Sequence, residues 1–375
     1  MSAGAAGPAP RPDAASPRRV LAAMSGGVDS GVAAALMAEQ GHDVTGVTLK
    51  LWCYGNSPVS PRACCTLDAI DDARRVAERL EFRHFVVDAE DVFRARVLQP
   101  FLDDYARGRT PYPCALCNQS LKFGDLVSRM AAIGADWLVT GHYARVGTDD
   151  AGAPALCRAV DATKDQSYAL ALVPYASLAR AVFPLGGLTK TEVRAHAARL
   201  SLSVWDKPDS QDLCFVPDGD YAGFMRTKLG ETRGMNEGPI ETAGGLRLGT
   251  HRGIAHYTVG QRRGLGVAAR EPLYVIEVDA GRDAIVVGPR GQLERAGLET
   301  GAVNWLLPEP PRADTRVDVK IRAHHVAAPA RLEPREDGTA AVVFDAPQAA
   351  ITPGQLAVFY AGDRVIGGAA IERPI

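Results

Sequence analysis

The hexapeptide Ser25-Gly26-Gly27-Val28-Asp29-Ser30 holds the residue types that an anion site needs. Two glycines let the backbone turn tightly and come close to a ligand. The run follows a short apolar strand pattern, Val20–Met24. It opens a helical pattern from Ser30 to Gln40 that stops at Gly41. A helix start offers unpaired N–H groups and the positive end of the helix dipole, which suits a pyrophosphate. Ser25 and Ser30 add hydroxyl donors, and Asp29 can hold Mg²⁺ on bound phosphates. No Gly-Lys-Ser/Thr follows, so this is not a Walker A loop, and the Gly-x-Gly-x-x-Gly of dinucleotide sites is absent as well.

Cysteines supply a second kind of chemistry. The chain has seven, and an odd count in a long chain argues against a disulfide framework. In Arg109-Thr110-Pro111-Tyr112-Pro113-Cys114-Ala115-Leu116-Cys117-Asn118, two prolines fix the approach to a helical pattern at Asn118–Ile133. Cys117 is expected at that helix start, where the dipole favours a thiolate. Lys122 lies about one turn further on. Cys114-x-x-Cys117 is also half of a zinc knuckle, but a second such pair and a spaced histidine pair are absent. Cys214 follows the polar turn formers of Asp209–Asp212, which predict a mobile loop over Asp209–Phe215. Alone, a cysteine before Phe215 is more often a buried apolar residue. If the glycine loop binds a nucleoside triphosphate, the loop together with two cysteines suits thiolation. Adenylation turns a carbonyl oxygen into part of an AMP leaving group, a persulfide delivers sulfur, and a second thiolate takes over the spent sulfur–sulfur bond. Cys53, Cys64 and Cys65 are read as reduced thiols around a surface loop. Cys157 lies in a strand-like run outside these motifs.

Elements of defined type must position these groups. Strand signals at Val20–Met24, Val44–Trp52, Phe85–Asp88 and Asp136–Thr140 alternate with helical ones at Leu67–Leu80 (Thr66 as N-cap), Val92–Ala106 and Asn118–Ile133. Such alternation predicts an α/β domain with a parallel sheet covered on both faces. Thr189–Leu200 adds a helix. Past about residue 215 helical periodicity fades. Short β-rich runs follow at Leu273–Val278, Ala284–Val287, Arg316–Ile321, Ala340–Phe344, Ala357–Tyr360 and Val365–Ile371, which predict a small barrel. The expected organisation is a tail over residues 1–17, an α/β domain over 18–215, a central module over 216–288 and a barrel over 289–375. The tail is Ala, Gly and Pro with almost no large apolar side chain, so disorder is expected there. It lacks the apolar core of a signal peptide. No run is long and apolar enough to span a membrane, and a cytoplasmic protein is expected. The net charge of −2 is uninformative. Local charge says more: Gly245–Arg270 carries Arg247, Arg252, Arg262, Arg263 and Arg270 with no acidic residue, and Arg316–Arg331 is also basic. Clustered arginines suit a phosphate backbone.

The Ser25–Ser30 loop resembles that of the PP-loop ATP pyrophosphatases, adenine nucleotide α-hydrolase-like proteins that cleave ATP between the α and β phosphates. The wider set SGGVDS (25–30), RTPYPCALCN (109–118), TGHYAR (140–145), KDQSY (164–168), DSQDLCF (209–215), TVGQRRGLG (258–266) and TPGQLAVFY (352–360) is similar to that of the tRNA-specific 2-thiouridylases. The likeness spans about residues 19–371. It implies a PP-loop domain, a small central domain and a C-terminal β-barrel. It implies ATP and Mg²⁺ as ligands and the wobble uridine of tRNAs for Lys, Glu and Gln as target. The partners implied are tRNA and a persulfide donor such as a cysteine desulfurase or a sulfur-relay protein. By the resemblance, Ala23, Met24, Ser25, Gly26, Gly27, Val28, Asp29 and Ser30 cradle ATP, with Leu49 and Gly141 at the adenine. Cys214 carries the persulfide and Cys117 resolves it. Tyr112, Pro113 and Cys114 face the target base. His142, Lys164, Asp165, Gln166, Arg322, Ala323 and Gln355 match tRNA contacts. Two positions depart from the pattern: Cys114 stands where some members have Asp, and Ala323 where an aromatic is common. The alternative to a persulfide relay is an iron–sulfur cluster held by Cys114, Cys117 and Cys214, with an open fourth iron position. A different PP-loop ligase, such as a lysidine or argininosuccinate synthetase, needs no paired cysteines. An RNA-binding module with a decayed ATP loop does not need the intact hexapeptide.

Overall fold

Apolar runs separated by helices of the right length build a parallel sheet around the glycine loop. The computed structural model describes residues 16–51, 67–149, 151–208, 213–216, 221–229 and 234–375. The expectations for residues 1–15, Thr66 and the Cys53, Cys64 and Cys65 group lie outside the described residues, as does Asp209–Asp212. The chain divides into two compact units. One comprises Met1–Arg94, Cys114–Gly219 and Asp363–Val365, and the other Ala95–Pro113, Asp220–Gly362 and Ile366–Ile375.

In the first unit the strands are β1 (Arg19–Ala23), β2 (Asp43–Lys50), β3 (Arg83–Asp88), β4 (Trp137–Thr140), a hairpin of β5 (Arg145–Thr148) and β6 (Pro154–Cys157), and β7 (Ala181–Val182). The main sheet runs β3-β2-β1-β4-β7, with every neighbour parallel. Helix α1 (Val28–Glu39) buries Val32, Ala33 and Met37 against Val20, Ala22, Trp137 and Val139. Helix α2 (Leu67–Arg79) buries one face through Ala69, Ile70, Ala73, Val76 and Ala77. The helix Lys190–Arg199 adds Val193 and Ala197 to the same core. It opens with a capping box in which Thr189 and Glu192 satisfy each other's backbone N–H groups, a device worth about 1 kcal/mol. The chain leaves β1 for β2 on one side, while β4 pairs β1 on the other. The C-terminal ends of β1 and β4 therefore flank the switch point at which open α/β sheets bind ligands.

Two helices differ from expectation. The segment expected as one helix over Val92–Ala106 is α-helical at Glu90–Phe93, π-helical at Arg94–Leu98 and α-helical again at Gln99–Ala106. The helix expected to begin at Asn118 begins at Pro113, runs through Cys117, and continues as a π-helix over Asn118–Leu126 and an α-helix over Val127–Ile133. Proline tolerates a first helical turn because its missing N–H is unpaired there anyway. Helix propensity counted from the polar Asn118 therefore starts the helix too late.

In the second unit a four-stranded sheet of order β10-β11-β8-β9 is formed by β8 (Gly238–Thr242), β9 (Arg247–His251), β10 (Tyr274–Asp279) and β11 (Ala284–Gly288). It encloses Ile240, Ile254, Val275, Ile285 and Val287. The strands β8 and β9 were not anticipated. A barrel follows from β12 (Glu294–Thr300), β13 (Asn304–Trp305), β14 (Thr315–Lys320), β15 (Ala328–Pro334), β16 (Ala340–Ala349), β17 (Leu356–Ala361) and β18 (Arg364–Pro374). Six strands in the order β12-β16-β15-β14-β17-β18 close through β12 pairing β18. Alternate residues such as Val317, Val319, Ala330, Leu332 and Val342 fill the interior. No described helix is long and apolar enough to cross a membrane.

Candidate active site

The glycine loop is shaped by contacts that exclude side chains. Gly26 adopts φ +70°, and a Cβ there would fall 2.0 Å from the Ala69 carbonyl oxygen at the start of α2. A Cβ on Gly141, just past β4, would sit 2.7 Å from the Ser30 nitrogen and from the Asp29 carbonyl carbon. Backbone thus lies directly on backbone across the switch point. Ser30 braces the loop from inside. Its Oγ accepts from the Ser25 N–H at 3.1 Å, lies 3.2 Å from Ser25 Oγ and donates to the Gly27 carbonyl at 3.1 Å. Below it, Thr48 Oγ1 donates to the Met24 carbonyl at 2.8 Å and meets His84 Nε2 at 2.8 Å. Gly27 caps α1 in an extended conformation, with no side chain bonded to the helix start. The first N–H groups of α1 carry no side-chain cap, and with the helix dipole behind them they form a candidate anion site.

Asp29 lies in the first turn of α1, where it is the acceptor for two groups from distant parts of the chain. Lys190 Nζ lies 2.7 Å from Asp29 Oδ1, and Tyr143 OH donates to the same oxygen at 2.9 Å. The Lys190 ammonium also lies over the Tyr143 ring, 5.8 Å from its centroid, within cation–π range. Tyr143 is held in turn by Gln166, whose Oε1 accepts from the Tyr143 N–H at 2.9 Å while its own N–H donates to the Tyr143 carbonyl at 2.8 Å. A second lysine, Lys207, donates to the Gly26 carbonyl at 3.0 Å and to Asp72 at 2.7 Å. Tyr143, Lys190, Lys207 and Asp72 were not anticipated from the sequence. Tyr143 lies inside the noted TGHYAR run, and Lys190 is the first residue of a helix whose start was legible. Those two positions were the available signals.

The expected tRNA contacts in this unit have structural partners. His142 is buried, with Nδ1 2.7 Å from Thr140 Oγ1 and its ring near Phe123 and Phe183. Burial, and then the Lys122 charge, push its imidazole well below the ordinary range. Asp165 accepts from the N–H groups of Ala159 and Ser167 and from Ser167 Oγ. Lys164 donates its N–H to the Asp161 carbonyl. Lys164, Asp165 and Gln166 therefore shape the turn that presents Tyr143. Leu49 is half-buried on β2.

The cysteines are placed differently from one another. Cys114 is exposed and Cys117 is buried; neither they, Cys157 nor Cys214 form a disulfide. Because the helix begins at Pro113, Cys114 occupies its first turn and Cys117 lies deeper. This corrects the expectation that Cys117 marks the helix start. Asn118 Nδ2 donates to the Ala169 carbonyl at 3.0 Å and fixes the helix beside Cys117. Cys214 is half-buried next to Phe215, whose ring meets Phe93 edge-on at 5.5 Å. The mobility expected for Asp209–Phe215 concerns mostly Asp209–Asp212, outside the described residues. Among the described residues no group of three or more His, Cys, Asp or Glu side chains is arranged to hold a metal, so Cys114, Cys117 and Cys214 do not form a ready cluster ligand set.

In the second unit Tyr112 is half-buried and Pro113 is buried. Arg252, Arg262, Arg263 and Arg270 are exposed, and no ion pair or side-chain hydrogen bond with another described residue engages their guanidinium groups. Arg262, Leu265, Arg270 and Leu273 help to line a shallow cleft of about 430 Å³. The other basic stretch is different. Arg316 is paired with Asp345 and Arg331 with Asp314, which corrects the expectation of a second free cationic face. Arg322 is exposed and donates to the Ala349 carbonyl at 3.3 Å, Ala323 is half-buried, and Gln355 donates to the Thr110 carbonyl at 3.0 Å.

A parallel sheet with a bare glycine cap at its switch point defines a nucleotide-binding α/β domain, and sequence profiles give its class. The tRNA methyl transferase HUP domain matches residues 18–218, the tRNA methyl transferase PRC-barrel domain 224–289 and the aminomethyltransferase β-barrel domain 295–371. A relative from Geotalea uraniireducens, tRNA-specific 2-thiouridylase MnmA, is 46% identical over 362 residues, covering 96% of both chains. The protein of the same name from Heliobacterium modesticaldum is 46% identical over 356 residues, covering 94% of this chain and 92% of that one. The chain belongs to the tRNA-specific 2-thiouridylase family of enzymes. Among solved structures, NMN synthetase from Francisella tularensis matches with a TM-score of 0.33 at 20% identity, covering 52% of this chain and 68% of that one.

The packing of Gly141 on the loop yields a test. Gly141→Ala is expected to displace the Asp29–Ser30 backbone and weaken ATP binding at least tenfold, as measured by equilibrium titration. Unchanged affinity would mean that the loop does not hold the nucleotide.

Proposed function

We propose that the chain is an ATP-dependent tRNA sulfurtransferase that converts a wobble uridine, in tRNAs for Lys, Glu and Gln, to 2-thiouridine. The observation that carries this reading is the bare, glycine-capped start of α1 beside Gly141, in a chain whose family pairs such a loop with two cysteines. ATP enters with its β and γ phosphates against the N–H groups of Gly27–Ser30 and its adenine between Leu49 and Gly141. Asp29 fits Mg²⁺, which typically takes one or two carboxylates plus phosphate oxygens and water. Such an ion would supply positive charge for the pyrophosphate, and Lys190, held 2.7 Å from Asp29, places a second cation beside the same site.

The uridine C2 oxygen attacks the α phosphorus, and pyrophosphate departs. C2 now carries an adenylate, so its oxygen leaves as part of AMP. The terminal sulfur of a Cys214 persulfide attacks C2 and expels AMP, giving a C2–S–S–Cys214 linkage. The Cys117 thiolate then attacks Cys214 Sγ, which forms a Cys117–Cys214 disulfide and frees the thiocarbonyl. A dithiol reductant reopens the disulfide, and a persulfide donor protein recharges Cys214. Tyr112, Pro113 and Cys114 border the base; the domain over 18–215 carries the ATP site, both cysteines and the His142 and Lys164–Gln166 contacts, while those over 216–288 and 289–375 add the remaining tRNA contacts. The cluster alternative finds no gathered donor set among the described residues, and no step is routed through it.

Two outcomes are expected. Cys214→Ser should abolish sulfur transfer while adenylated tRNA still accumulates, and Cys117→Ser should block turnover. Full activity of Cys214→Ser with a persulfide donor would overturn the relay. Replacing Arg262 and Arg263 by Ala should weaken tRNA binding and lower the slope of log affinity against log salt by about 2, because about one counterion is released per phosphate contact. An unchanged slope would place the RNA elsewhere.

A further inference from the structure

Two of the motifs with no part in the ATP site, Thr258–Gly266 and Thr352–Tyr360, meet on one residue, Thr110. The Thr110 N–H donates to the Pro353 carbonyl at 2.8 Å. Its carbonyl accepts from Gln355 Nε2 at 3.0 Å. Its hydroxyl donates to Thr258 Oγ1 at 3.2 Å. Both backbone polar groups and the side chain are thus bonded from outside the segment. Gly354, between the two barrel contacts, has φ +89°, and a Cβ there would lie 2.9 Å from the Thr110 nitrogen. Only glycine allows that approach without strain.

The neighbouring residue is fixed as firmly. Arg109 forms a two-pronged pair with Glu372 at 2.7 and 3.2 Å, donates to the Ile371 carbonyl at 3.2 Å and lies 3.2 Å from Asp104. A planar guanidinium engaged on both edges sets direction as well as position. From here the chain runs through Pro111, Tyr112 and Pro113, two of them prolines with fixed φ, so a position set at Thr110 carries forward with little slack.

We propose that Gln355 and Thr258 are positioning residues that clamp Thr110 and thereby set the path of Tyr112–Cys114 at the target base. The inference rests on the assignment of that segment to the base. It gives Gln355 a role besides RNA contact, because one of its amide N–H groups is used on a protein carbonyl. It also links the Arg262–Arg263 turn to the segment. Gln261 ties that turn together through the Thr258 N–H and the Arg263 carbonyl, at 3.1 and 2.9 Å.

The test uses the full chain with Gln355→Leu, Thr110→Val and Thr110→Ser, read by hydrogen exchange over residues 107–113, by tRNA affinity and by tRNA-dependent pyrophosphate release. Gln355→Leu and Thr110→Val should speed local exchange at least tenfold in the ligand-free protein, with exchange in β1 and β4 unchanged. They should lower kcat at saturating tRNA at least tenfold with tRNA affinity within twofold, and Thr110→Ser, which keeps the hydroxyl, should restore most of it. Unchanged local exchange overturns the clamp. So does a Gln355→Leu protein with weakened tRNA binding and normal kcat, since Gln355 would then touch RNA. A wild-type protein that releases no pyrophosphate with tRNA would defeat the proposed function, and the exchange measurement would still decide the clamp.

Discussion

A carboxylate stands at the mouth of an anion site, and the rest of the first unit answers that conflict. Asp29 suits the first turn of α1, where negative charge meets the dipole, yet it would repel entering phosphates. Lys190 and Tyr143 both bond Asp29 Oδ1. They come from the first turn of the Lys190–Arg199 helix and from the turn after β4, and each is fixed by its own support: the capping box for Lys190, Gln166 for Tyr143. One oxygen thereby ties three separate segments to the switch point. The arrangement keeps the Lys190 cation beside the start of α1; a metal ion on Asp29, if bound, would supply further positive charge for phosphates.

The two cysteines of the proposed relay differ in setting: Cys117 is buried and Cys214 half-buried. Cys117 is part of a continuous helical run whose flank is bonded to the Ala169 carbonyl through Asn118. Cys214 lies beside Phe215, whose ring packs edge-on against Phe93. A disulfide between them needs α-carbons within about 7 Å. The proposed relay therefore requires Cys117 and Cys214 to come that close.

Local features were legible in the sequence and distant ones were not. The glycine loop, the alternating strands and helices, and most barrel strands follow from periodicity and turn residues within short windows. Asp29 with Tyr143 and Lys190 joins residues 114 and 161 positions apart, which no spacing rule reaches. The strands β8 and β9 are short and rich in Gly, Thr and charge, so they lack a clean apolar alternation. Two prolines before Asn118 suggest a stiff approach to a helix starting near Cys117; in the structure Pro113 is the first residue of that helix and Cys117 lies inside it. Counting arginines over Arg316–Arg331 missed that Asp314 and Asp345 neutralise two of them.

If ATP activates the carbonyl oxygen that sulfur replaces, the C2 oxygen of the target uridine must leave on AMP. Transfer RNA carrying ¹⁸O at that position, turned over with ATP and a persulfide donor, should yield AMP with one ¹⁸O in its phosphoryl group for each 2-thiouridine formed. Label found in water or in pyrophosphate, with unlabelled AMP, would contradict the account.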